Sequence, residues 1–120
     1  MSAHADDAPT PVNQIALRGG DRLVEVDVEA IDYVETAGNY VRVHVGRAVL
    51  QRRATLGEMH QILGRHRFVR IRRSTLVRIG AIRVCVPYAK GSYRVVLRNG
   101  TELRSSRHFL PELRRTFGEA

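Results

Sequence analysis

At 120 residues and 13.5 kDa the chain has room for one domain and too little for two. Its 43% hydrophobic and 27% charged residues are globular proportions, and no apolar run is long enough to cross a bilayer. Twenty Lys and Arg against twelve Asp and Glu leave a net charge of +8, with residues 1–30 at −4 and residues 31–120 at +12. A field of that sign attracts polyanions such as nucleic acid or anionic lipid. With no Trp and 6% aromatic residues, the chain lacks the stacking platforms of a dedicated single-strand binder, so duplex nucleic acid is the first expectation.

Met1 to Val12 is an Ala, Asp and Pro stretch without periodicity, read as a flexible tail or linker remnant, with the folded domain expected over residues 13–120. It lacks the basic start and apolar block of a secretory signal, so a cytoplasmic protein is expected. Ile15 and Leu17 lead to a hairpin turn at Gly19-Gly20, followed by Leu23 to Val28, where Val24, Val26 and Val28 share one face. Ile31 to Glu35 reads as another strand, and Ala37-Gly38-Asn39 as a loop. Tyr40 to Val45 alternates cleanly, with Val41, Val43 and Val45 inward and Arg42 and His44 outward. After a turn at Gly46-Arg47 and a strand over Ala48 to Arg53, the period becomes helical. Thr55 and Glu58 have capping-box spacing, Leu56, Met59, Ile62 and Leu63 line one face, and Gly64 ends the helix.

Phe68 to Ile71 and Thr75 to Ile79 are strands interrupted by Arg72-Arg73-Ser74. Ile82 to Tyr88, Tyr93 to Leu97 and Thr101 to Arg104 follow, the last two joined at an Asn99-Gly100 hairpin signal. Ser106 is placed to cap a terminal helix with Phe109, Leu110, Leu113 and Phe117 on its apolar stripe and Pro111 in its early turns. The expectation is a mainly β, antiparallel domain of nine or ten short strands, with helices near residues 55–64 and 107–117.

Chemistry of the catalytic kind finds little support. His4, His44, His60, His66 and His108 show no metal-ligand spacing, and the single Cys85 can make neither an intrachain disulfide nor a zinc site. Asp32 and Glu35, three apart in a strand, point to opposite faces and do not form an acid/base pair. No Gly-rich run leads from a strand into a helix, so no phosphate loop is present. No catalytic residue, metal or cofactor is expected, and no enzyme. The basic clusters Arg52-Arg53, Arg65-His66-Arg67, Arg70-x-Arg72-Arg73 and Arg104 with Arg107-His108 are the stronger signal, because several fall where strands break into loops.

From Ile31 onward, the order Ile31-x-Tyr33-Val34-Glu35, Gly38-Asn39-Tyr40-Val41, Thr55-Leu56, Phe68-x-Arg70-Ile71, Arg73-Ser74-x-Leu76-Val77, Leu97-x-Asn99-Gly100 and Ser106-Arg107 resembles the LytTR domain. That domain is the DNA-binding output module of many bacterial response regulators. The resemblance implies an elongated stack of small antiparallel sheets whose loops, rather than a recognition helix, enter successive major grooves. It implies duplex DNA contacts from Asn39, Tyr40, Arg72, Arg73, Ser74, Arg107 and His108. Two departures stand out: Arg72 replaces a frequent His, and Arg78 a usual Asn, which bears on the DNA sequence preferred and on that strand's hydrogen bonding.

The resemblance further implies transcription regulation in a two-component system, DNA bound as a dimer on repeated sites, and no membrane. A receiver or sensor domain would be either removed from this chain or supplied by another protein. The alternative function is a small basic β-protein that binds RNA. A protein-interaction adaptor using a sheet edge is a third reading, which would show no salt-sensitive DNA binding.

Overall fold

A computed structural model describes residues 12–117. The tail expected over residues 1–12 therefore lies outside the described residues except for Val12, whose amide donates to the Ile62 carbonyl at 3.3 Å. Among the described residues ten strands form: β1 (Gln14–Gly19), β2 (Arg22–Asp27), β3 (Tyr33–Ala37), β4 (Tyr40–Val45), β5 (Ala48–Arg53), β6 (Phe68–Arg72), β7 (Thr75–Arg78), β8 (Ile82–Pro87), β9 (Tyr93–Leu97) and β10 (Glu102–Arg104). Helices α1 (Leu56–Leu63) and α2 (Leu110–Thr116) follow β5 and β10. Every strand pairing is antiparallel, in a seven-stranded sheet ordered β2-β1-β5-β4-β3-β7-β6 and a three-stranded sheet ordered β10-β9-β8.

Alternation decides which face each strand buries. Val34, Val41, Val43 and Leu76 point to one side of the large sheet and meet Leu56, Met59 and Leu63 of α1 in a first core. On the opposite side, at the β7–β6 end only, Val69, Ile71 and Val77 meet Ile82, Val95 and Leu97 of the small sheet and Leu113 of α2 in a second core. The large sheet is thus a shared wall, and the small sheet and α2 are carried on its β6 flank.

Helix α1 forms as its caps dictate. The Thr55 hydroxyl accepts the Glu58 amide at 3.0 Å and the Glu58 carboxylate accepts the Thr55 amide at 2.8 Å, while Gly64 ends the helix at φ 105°. Asp32 accepts from the Gly46 amide at 3.0 Å and lies 3.4 Å from Asn99 Nδ2 of the β9–β10 hairpin, which fastens the two sheets together. Arg78 holds the same segment from β7: its Nε donates to the Ile31 carbonyl at 2.6 Å and its amide to the Asp32 carbonyl at 3.1 Å. The residue that departs from the family pattern thus supplies hydrogen bonds of its own.

Six local readings change. Val24, expected beside Val26 on the inward face, is 40% exposed because β2 is an edge strand that runs past the cover of α1. Val28 is fully buried, but in a single 3-10 turn over Val28–Ala30 that redirects the chain; this also delays the next strand from Ile31 to Tyr33. Ile79 likewise leaves its strand for a 3-10 turn over Ile79–Ala81. At the C-terminal end, Ser106 makes no side-chain cap; the chain first makes a 3-10 turn over Arg107–Phe109, and the α-helix starts only at Leu110. Phe117, expected on the apolar stripe, is 48% exposed.

Candidate nucleic-acid interface

The β6–β7 turn is the centre of the site. Arg73 and Ser74 sit at its tip, and the Ser74 carbonyl accepts the Thr36 amide of β3 at 3.0 Å, which sets the turn beside the β3–β4 loop. Between the two loops runs an open groove of about 740 Å³ lined by Gly38, Asn39, Arg53, Arg70, Arg73 and Ser74, with the first turn of α1 as its far wall. On the other side of the same turn a second groove, about 610 Å³, is lined by Arg72, Arg73, Ser74, Ser106, His108 and Phe109. Arg73 and Ser74 therefore face both grooves, and the turn adjoins two loops that lie far from it in the chain.

Gly38 is one of the positions where the fold needs glycine: at φ 65° it lets β3 turn into β4 in two residues and leaves Asn39 exposed at the tip. Tyr40 stands apart from the grooves, on the outer face of the sheet, with the Arg53 guanidinium 5.8 Å from its ring centroid. Arg107 is exposed and borders neither groove; its aliphatic stem lies against Gly91 of the β8–β9 loop, where a Cβ would come within 3.3 Å. His108 meets Phe109 edge-on, with ring centroids 5.1 Å apart.

The structure thus brings Asn39, Arg72, Arg73, Ser74 and His108 around one turn and leaves Tyr40 and Arg107 on its margins. Arg53, Arg70 and Phe109 border the grooves without being among the residues that the sequence points to as DNA contacts. Both arginines lay in basic clusters already visible, but which members of a cluster share a groove depends on sheet pairing. The apolar spacing puts Phe109 on a helical stripe, whereas the 3-10 turn aims it at Arg70, with 5.7 Å between guanidinium carbon and ring centroid.

Elsewhere His44 is committed to structure. The His44 ring lies flat on Tyr33, centroids 4.0 Å apart, with Nε2 2.6 Å from Glu35 Oε2. Burial, helped by the Glu35 and Asp32 carboxylates, pushes the Tyr33 phenol up, and burial pushes the Cys85 thiol up, so neither is an activated nucleophile. Among the described residues no three His, Cys, Asp or Glu side chains gather as a metal site, and no helix is long and apolar enough to cross a membrane.

The LytTr DNA-binding domain family model matches residues 21–118, which take in β2 to β10, both helices and all three loops. The chain belongs to the LytTR family of DNA-binding domains. Two proteins named sensory transduction protein LytT, from Bacillus anthracis and Bacillus cereus, are each 26% identical over 109 residues, covering 91% of this chain and 44% of theirs. The chain thus spans less than half the length of these curated relatives. A solved LytTr DNA-binding domain, from a protein described as a methyl-accepting/DNA response regulator of Bacillus cereus, superposes with a TM-score of 0.83 at 20% identity. The match covers 89% of this chain and 98% of that one. At that identity the likeness speaks for the LytTR fold.

Proposed function

We propose that residues 13–120 form a sequence-specific duplex DNA-binding unit that serves as the output domain of a bacterial transcriptional regulator. The observation that carries this reading is the convergence of two further polar loops on the Arg73-Ser74 turn, which presents arginines from two strands' ends to two adjoining open grooves. Grooves that wide and open suit a large rod with regularly spaced phosphates better than a small molecule. In this reading Arg73 and Arg107 read base edges through their planar forks, Asn39, Arg72 and His108 contribute base or phosphate contacts, and Tyr40 and Ser74 hold the backbone. The loops enter successive major grooves, two copies occupy repeated sites, and a receiver or sensor domain supplies the signal in the cytoplasm.

Several neutralised phosphates release several counterions, so duplex affinity should fall about a hundredfold or more between roughly 50 and 200 mM salt. Selection from a random duplex pool should return one repeated motif. A flat salt response excludes nucleic acid, and a steep response with no motif, or tighter binding to RNA of matched length, overturns the sequence-specific DNA reading.

A further inference from the structure

Strand β6 carries one residue more than its partner: Arg70 pairs with Leu76 and Arg72 with Thr75, so Ile71 is a bulge. A bulge leaves ladder groups free and re-aims the side chains beside it. Here the freed groups are taken up within the interface. The Ile71 carbonyl accepts the Ser106 amide at 2.8 Å, which ties the loop between β10 and α2 to β6. Arg70 donates from Nε to the Arg72 carbonyl at 3.3 Å and from Nη2 to the Arg73 carbonyl, so its guanidinium closes the turn that bears Arg73 and Ser74. Its face is also presented to the Phe109 ring of the neighbouring loop. Arg72 reaches the Arg104 carbonyl at 3.3 Å and adds a second strap between the same two segments.

A guanidinium suits this place. Its donors diverge in one plane, so successive carbonyls can be held while its flat face remains for an aromatic ring; an ammonium has the charge without the fork. Two of its five donors are committed to main chain, so the turn that it closes holds the guanidinium in one orientation. A bidentate contact to a base edge in turn tolerates little displacement of the loop that carries it. Building on the duplex-binding reading, we propose that Arg70 is a positioning residue. It fixes the spacing between the Arg73-Ser74 turn and the Ser106–Phe109 loop, so discrimination between duplex sequences depends on a side chain that does not touch DNA.

Arg70→Lys, which keeps the charge and most of the stem, tests this in two measurements on the full chain. Without DNA, amide hydrogen exchange at Thr36 and Ser106, whose partners are the Ser74 and Ile71 carbonyls, should speed up about tenfold or more, with the β1–β2 amides unchanged. With DNA, the affinity ratio between a selected duplex and a scrambled one should shrink about tenfold while the salt slope holds. Unchanged exchange at both amides, or a ratio within about twofold of the unchanged protein's, overturns the proposal. So does a salt slope that falls by about one in Arg70→Gln, since Arg70 would then be a phosphate contact. Faster exchange in a protein whose unsubstituted form binds both duplexes equally leaves the loop-holding role intact and overturns the sequence-specific reading beneath it.

Discussion

The two helices are held in opposite ways. Helix α1 carries its own instructions: a reciprocal capping box at Thr55 and Glu58, a glycine stop, and three apolar side chains buried in the first core. Helix α2 has neither an N-cap hydrogen bond nor full turns of preparation; it is seven residues long and is held by Leu113 in the second core and by the loop before it. The difference follows the work each does. Helix α1 completes the wall behind the interface, whereas the segment leading into α2 is part of the interface, so its polar groups bond to β6 instead of to the helix. Local signals thus specify the scaffold, and long-range contacts specify the site.

Emptying either core should have the largest effect and should separate the two regions. Met59→Ala and Leu113→Ala each remove a fully packed side chain and should cost about 2–5 kcal/mol in denaturant melts. Only Leu113→Ala should also compress the gap between selected and scrambled duplex, because it loosens the loop that bears Arg107 and His108. Equal loss of discrimination in both variants would contradict the division. Smaller and sharper is the capping contrast. Thr55→Ala should cost about 1 kcal/mol, and Ser106→Ala only a few tenths, since the Ser106 hydroxyl caps nothing. A Ser106→Ala cost equal to that of Thr55→Ala would show that α2 has a side-chain cap after all.

The smallest expected effect is a dependence on pH. His60 of α1 is buried, its Nε2 2.9 Å from the Phe68 carbonyl, and burial lowers its affinity for a proton even though that carbonyl opposes the change. The unfolded chain therefore takes up the proton first. The contribution of neutral His60 is present in full above about pH 6.5 and declines as the pH falls below that value. Chemical unfolding from about pH 7.5 to 5.5 should show that decline, and His60→Gln should flatten it; the same slope in both proteins would assign the effect to another group.

Much of the scaffold was legible because it rests on short-range chemistry. Alternation over Tyr40 to Val45, the Asn99-Gly100 hairpin and the Thr55 box each fix local geometry without reference to distant residues. The misread places are those where a distant partner decides. Val24 is uncovered because β2 is at the edge, and Ser106 is diverted by the Ile71 carbonyl. The candidate site was visible as three basic or polar loops. That Arg73 faces two grooves at once, and that Arg70 stands behind it, depends on a bulge for which periodicity gives no sign.

Sequence specificity rests on whether the loop arginines read base edges. The direct measurement is a titration of the unchanged protein, Arg73→Ala and Arg107→Ala with selected and scrambled duplexes at one salt concentration, with melting curves alongside. Arg47→Ala is the control, since the β4–β5 turn lies at the end of its hairpin remote from the β3–β4 loop. Each loop variant should lose roughly 1–3 kcal/mol against the selected duplex and far less against the scrambled one, and the control should keep the gap. Equal losses against both duplexes would make Arg73 and Arg107 phosphate holders and contradict the central claim.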